Sequence, residues 1–266
     1  MKYLKKFNEN INSSEIDSIC EKYNIKNYII NEDGSIDVDG NVNLYDEKLK
    51  VLPLKFRNVS GDFECGDNQL TSLDGSPQSV GGDFYCISNH LTSLEGGPQS
   101  VDGFFDCGYN QLTSLEGCPQ SICGGFYCRG NKLTSLLGSP QRVGGDFECS
   151  DNKLTSLEGA PKRVGGIFLC LSNKLKNIDY LPKYYKELCI FNNPIYKIID
   201  LFTTSNEYVR ISNREDKELI MDFIDREIIQ QDILLVNRLV EFLHDVGKPK
   251  SKEELIELLK NDYEIR

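Results

Sequence analysis

Hydrophobic positions recur along the chain with a period of 21 residues. Phe63, Phe84, Phe105, Phe126, Phe147 and Phe168 are each followed two residues later by Cys65, Cys86, Cys107, Cys128, Cys149 and Cys170. Asn68, Asn89, Asn110, Asn131, Asn152 and Asn173 come next, then two apolar columns from Leu70 to Leu175 and from Leu73 to Ile178. A fixed period of this length marks a solenoid, in which each unit buries its apolar face against its neighbours. Residues two apart on a strand share a face, so Phe-x-Cys predicts a short strand with both side chains inward and the residue between them outward. The Asn is placed to close the following turn, its amide bonding to backbone groups that neighbouring coils would otherwise bury unpaired. The Leu-Thr-Ser-Leu-x-Gly-x-Pro segment is too short and too rich in Gly and Pro for a helix. One parallel strand per coil is expected, with no helix on the outer wall.

The pattern degenerates towards both ends, as a solenoid requires. Residues 1–60 read as a cap: Ile11, Ile16, Ile19 and Tyr23 at helical spacing, then a first coil with Ile36, Val38 and Asn41 running through Leu49, Leu52, Pro53 and Phe56. Residues 61–181 hold the six repeats, and 182–211 a last coil with Leu188, Ile190 and Asn193. From 212 to 266 the apolar period becomes helical, through Leu219, Ile220 and Phe223, then Leu239, Phe242 and Leu243, then Leu255 and Leu259. Gly247 and Pro249 end one helix, and Ser251-Lys252-Glu253-Glu254 starts the next as a capping box. The predicted fold is a mainly β solenoid with helical caps and a C-terminal helical unit.

These units resemble the leucine-rich repeat, with Cys in place of the second strand leucine, and their Leu-Thr-Ser-Leu segments resemble the short repeats of bacterial effector proteins. With the entry segment at 29–40 and the exit segment at 237–250, they are similar to leucine-rich-repeat proteins of large tailed bacteriophages. That resemblance covers most of residues 28–250. It implies a protein-binding role, here the capture or inhibition of a bacterial host protein such as a defence component. The alternative is a structural or assembly role in a phage particle, with copies joined through the C-terminal helices.

Charge narrows the partner. The chain carries a net charge of −11, which repels phosphate backbones and anionic membranes, so neither nucleic acid nor membrane is expected and a partner with a basic surface is. Nothing approaches the roughly 20 apolar residues of a membrane helix, and the lysine-containing start lacks the apolar run of a secretion signal. A cytoplasmic location is expected, with the ten cysteines reduced.

Catalysis, metal and cofactor are not expected. Zinc ligands come as close pairs, unlike a 21-residue cysteine column, which reads as a row of small buried hydrophobes. Cys118 and Cys123 lie outside the column with no base near them in sequence. His244-Asp245 lacks the further histidines of a metal-dependent phosphohydrolase, since His90 is the only other one. Asp37-x-Asp39-x-Asn41 starts like a calcium loop, but Val42 stands where the turn glycine belongs and Lys48 where the closing glutamate belongs. The similar effectors often add a ubiquitin-ligase domain with a nucleophilic cysteine. Here the last cysteine, Cys189, falls within the coils.

Function is therefore sought on the surface. Around the inward Phe and Cys, the outward positions vary from coil to coil: Asp62, Glu64 and Asp67, then Asp83 and Tyr85, then Phe104, Asp106 and Tyr109, then Tyr127 and Arg129, then Glu148. Aromatic anchors with a polar surround are the usual form of a protein-binding hot spot, and these eleven residues are the candidate site. The sixth coil offers Ile167, Leu169 and Leu171, expected to be covered by residues 182–266. Residues 58–128 contain nine acidic residues and no Lys or Arg, whereas 129–181 contain eight basic and five acidic ones. The acidic half should steer a basic partner.

Overall fold

The computed structural model describes residues 12–204, 210–212 and 214–266, so Ile11 of the predicted helix lies outside the described residues. The chain winds into a β-solenoid of about seven coils, each about 21 residues long. Phe63–Glu64, Phe84–Tyr85, Phe105–Asp106, Phe126–Tyr127, Phe147–Glu148 and Ile167–Leu169 are successive parallel strands of one sheet, in Phe-to-Phe register. Val42–Asn43 precedes them, Glu187–Cys189 follows, and Arg210–Ile211 closes the sheet antiparallel.

The expectation of one strand per coil is corrected. Ser79–Val80, Ser100–Val101, Ser121–Ile122, Arg142–Val143 and Arg163–Val164 form a second sheet, parallel from Ile36–Val38 and Phe56–Val59 onward and begun by Tyr28–Ile30, which pairs antiparallel. The Val or Ile of each two-residue strand points inward and is buried. The pair that follows, Gly-Gly in three coils, Asp102-Gly103 and Cys123-Gly124 in the others, turns the chain from this sheet to the Phe sheet. A Cβ on Gly103 would lie 2.0 Å from Asp83 Oδ1 and 2.8 Å from the carbonyl carbon of Gly82, so the coils approach too closely there for any side chain. The outer wall holds no helix between residues 61 and 181.

Inside, the six Phe rings run in one stack with centroids 5.1 to 5.8 Å apart, beside the fully buried cysteine and leucine columns. The Asn ladder forms as expected. Asn110 Nδ2 donates to the carbonyls of Cys86, Cys107 and Gly108 at 3.0 to 3.2 Å, and its Oδ1 accepts from the Leu91 N–H at 2.9 Å. Each amide thus ties its own turn to the preceding coil, and the pattern repeats from Asn68 to Asn193.

The cysteine column is inert for a physical reason. Burial in the apolar core raises the Cys65 thiol to about 12 and those of Cys86, Cys107, Cys128 and Cys149 well above their ordinary value, so they stay protonated. Cys107 Sγ lies 3.5 Å from the Tyr127 carbonyl of the next coil. Cys118 is buried, with its thiol raised to about 12, and Cys123 is the one exposed cysteine. A thiol reagent should therefore titrate one group quickly in the native protein and all ten after unfolding. More than one fast equivalent would show the column misplaced. Cys107→Ser should destabilise by about 1 to 3 kcal/mol, since it buries a hydroxyl in the core.

Both ends differ in detail from expectation. Helix α1, Ser13–Lys22, starts on an Asn12/Glu15 capping box and buries Ile16 and Cys20. In the first coil, Val42 pairs with Phe63, so Val42 and Leu44 occupy the Phe and Cys places, while Ile36 and Val38 belong to the other sheet. Asn41 stands one position before the Phe place, and its Oδ1 accepts from the Asp62 N–H at 2.9 Å. Asp37, the first calcium-loop candidate, is bonded to Arg57 and Asn58.

At the far end, α2 (Tyr196–Ile199), α3 (Arg214–Asp225), α4 (Val236–Asp245) and α5 (Lys252–Leu259) pack around Phe202, Phe223 and Phe242. The Ser251/Glu254 capping box forms. This unit also holds a small sheet of Ile229–Gln230, Ile233–Leu234 and Glu264–Ile265, which its helical periodicity does not announce. Ile167, Leu169 and Leu171 remain half-buried, because Glu187–Cys189 continues the sheet beside them instead of crossing over them.

Candidate protein-binding face

In three of the six coils the residue just before the Phe is an Asp with a scaffold role that periodicity alone does not reveal. Asp62 Oδ1 accepts the Asp83 N–H at 2.8 Å, Asp83 Oδ1 the Phe104 N–H at 2.7 Å, and Asp146 Oδ1 the Ile167 N–H at 2.8 Å. These carboxylates form a second ladder, above the glycine corner. Asp62 and Asp83, candidates for an acidic margin, are therefore also structural. Asp83 further accepts the Tyr85 hydroxyl at 2.8 Å.

Phe104 breaks that ladder, as Gly125 and Ile167 do at the same offset. Phe104 offers the Gly125 N–H no side-chain acceptor and is itself 40% exposed. Tyr109 departs from its own column in a different way. The last residue before each ladder Asn is left-handed, as at Asp67 (φ 55°), Ser88 (φ 55°), Gly130 (φ 67°) and Asp151 (φ 55°), and Tyr109 is held there at φ 50°. A bulky side chain in that region is strained, and such strain gathers at functional sites.

Two glycines make room for these rings. A Cβ on Gly130 would lie 2.6 Å from the Tyr109 ring, and one on Gly125 would lie 2.7 Å from the Tyr127 hydroxyl. Arg129 stacks over Tyr109, with its guanidinium 4.9 Å from the ring centroid, and stands 3.9 Å from Glu148. Phe104 and Tyr127 meet at 6.0 Å with their planes 45° apart.

Pairing in the sheet sets Glu64, Tyr85, Asp106, Tyr127 and Glu148 side by side in one outward row. The candidates on the central coils are thus brought together, whereas Asp67 lies at the turn, exposed, accepting the Tyr45 hydroxyl at 2.5 Å. Tyr45, 50% exposed on the preceding coil, extends the aromatic edge and lies outside the candidates, because the shifted register of the first coil hides its place.

Asp106 and Glu148 are both raised above the ordinary carboxylate range, first of all by desolvation, with Arg129 only partly opposing. A carboxylate raised in the folded state contributes stability below its unfolded pKa, and that contribution is lost as pH rises through the folded value. At neutral pH both charges thus cost stability. The scaffold does not need them as carboxylates, since the Asp106 contact that it uses, Oδ1 accepting the Gly108 N–H at 2.8 Å, is one that an amide could also make.

Among the described residues, no group of three or more His, Cys, Asp or Glu side chains could hold a metal ion, and no helix is long and apolar enough to cross a membrane. His244 is exposed on α4, with Asp245 bonded to Arg226. No family model, curated protein or solved structure matches the chain.

Proposed function

We propose that the protein is a non-catalytic binding module that captures a protein with a basic surface on the Phe sheet around Tyr127. One observation carries this reading: on the central coils the repeat gives up features that stabilise it in order to expose aromatic rings. Phe104 replaces a ladder Asp, Tyr109 occupies a left-handed position, and Gly125 stands where other coils carry Asp and leaves space for the Tyr127 ring. Solubility alone favours none of these choices, whereas a rigid aromatic hot spot with a carboxylate margin favours all of them. The long cation-free stretch from 58 to 128 supports a basic partner, whose approach it would accelerate. The resemblance to phage repeat proteins favours the cytosol of a bacterial host as the setting and a host defence protein as the captured species.

Returning the two departures to the repeat's own chemistry tests the reading. In the Phe104→Asn/Tyr109→Asn variant, the amide introduced at position 104 gains the acceptor role that Asn41 already plays, and the one at position 109 suits a left-handed backbone. Stability should rise by about 0.5 to 2 kcal/mol while partner affinity falls at least about tenfold. A variant that is more stable and binds normally would place the interface elsewhere.

A further inference from the structure

We infer that the partner reaches this face with an arginine side chain, laid over Tyr127 between the carboxylates of Asp106 and Glu148. The inference rests on the binding role proposed above and identifies the group that the face recognises.

Tyr127 is paired in register with Asp106 on one side and Glu148 on the other. Adjacent strands lie about 4.8 Å apart, so the two flanking residues are about 9.6 Å apart across the tyrosine. The phenol is raised first by its own burial and then by the negative charges of Asp146, Glu148, Asp106 and Asp83. Asp83 and Asp146 spend one oxygen each on the scaffold, and Asp106 spends one on Gly108. Four carboxylates thus bear on one ring, and the cation that opposes Asp106 and Glu148 is Arg129, which lies over Tyr109 and keeps only a long contact of 3.9 Å with Glu148. Four negative charges less one positive leave three.

Geometry selects the cation. A guanidinium is flat, stacks on an aromatic face and carries N–H groups on opposite edges. Adding two hydrogen bonds of about 2.9 Å to the roughly 2.3 Å between its terminal nitrogens gives a span of about 8 Å, enough to join carboxylates anchored two strands apart. An ammonium is a compact point charge with a span below about 6 Å, so it satisfies one carboxylate and leaves the other unpaired. Phe104, in contact with Tyr127 at 6.0 Å and tilted 45° to it, adds apolar surface beside the ring and holds it in place.

The test uses the whole chain and two small probes, acetyl-Gly-Arg-Gly-amide and acetyl-Gly-Lys-Gly-amide, titrated at low salt while the NMR signals of Asp106, Tyr127 and Glu148 are followed. The arginine peptide should bind with a dissociation constant in the millimolar range, at least about threefold tighter than the lysine peptide, and shift those signals first. Asp106→Asn/Glu148→Gln, which keeps the acceptor for Gly108, should weaken it at least about fivefold, whereas Glu116→Gln on the outer wall should not. Equal binding of the two peptides, or undiminished binding by the double variant, overturns the arginine assignment. The binding role itself is judged separately by Phe104→Asn/Tyr109→Asn, which spares both carboxylates.

Discussion

Asn110→Ala is expected to lower the stability of the solenoid by about 3 to 5 kcal/mol. The amide is buried and makes four hydrogen bonds, three as donor to carbonyls of two coils and one as acceptor from the Leu91 N–H. Alanine leaves the Leu91 N–H without an acceptor, an orphan worth about 1 to 3 kcal/mol unless water reaches it. It also takes one of two donors from each of three carbonyls, leaving Cys86 with Asn89, Cys107 with Asn131 and Gly108 with the Ser88 N–H. A solenoid couples only neighbouring coils, so loosening one central joint weakens the contact between the two halves. Asn110→Asp should cost at least as much as Ala, because the acceptor for Leu91 remains but the second oxygen, with no N–H to donate, is buried against three carbonyls. Chemical denaturation monitored by circular dichroism measures both, and a loss below about 1 kcal/mol for Asn110→Ala would mean the ladder is not what holds the coils in register.

The second large effect is on binding. Tyr85, Phe104 and Tyr127 changed together to Ala should weaken capture of the partner at least about tenfold, since one hot-spot side chain alone can be worth about 2 kcal/mol. Stability should change little by comparison. Phe104 is exposed and the two tyrosines are half-buried on the outer side of the sheet, so the Phe and Cys columns beneath them are untouched. The acidic margin should act differently, with Glu64→Gln and Asp67→Asn slowing association and flattening its salt dependence more than they shorten the life of the complex.

The parts of the fold legible from the sequence are those that repeat. Phe, Cys and Asn recur at fixed offsets, and an inward strand followed by an amide-closed turn is the arrangement that satisfies all three. The second strand is not legible because it is two residues long and carries one inward Val or Ile, which alternation cannot distinguish from a turn. In the first coil, Ile36/Val38 and Val42/Leu44 both have the i, i+2 spacing, and only the pairing of Val42 with Phe63 decides between them. The Asp ladder leaves a visible trace, since Asp62, Asp83 and Asp146 share one offset. Side-chain exposure and backbone acceptance look alike in sequence, however, and these residues read as surface charge. The candidate face is located by the outward positions of the central coils. That Gly125 and Gly130 admit the rings of Tyr127 and Tyr109 depends on which way those rings lean, which spacing does not encode.

Site-specific photo-crosslinking puts the binding claim to its most direct test. A benzophenone amino acid would replace Phe104 on the Phe sheet or, in a second protein, Ser100 on the other sheet, an exposed position across the glycine corner of the same coil. Irradiated in bacterial cytosol, the probe at 104 should crosslink to one predominant protein with a basic surface, and the adduct should vanish when Tyr85 and Tyr127 are also changed to Ala. The probe at 100 should give no such adduct. Crosslinks to that protein from 100 but not from 104, or an adduct at 104 indifferent to the loss of both tyrosines, would contradict the assignment of the Tyr127 face as the binding surface.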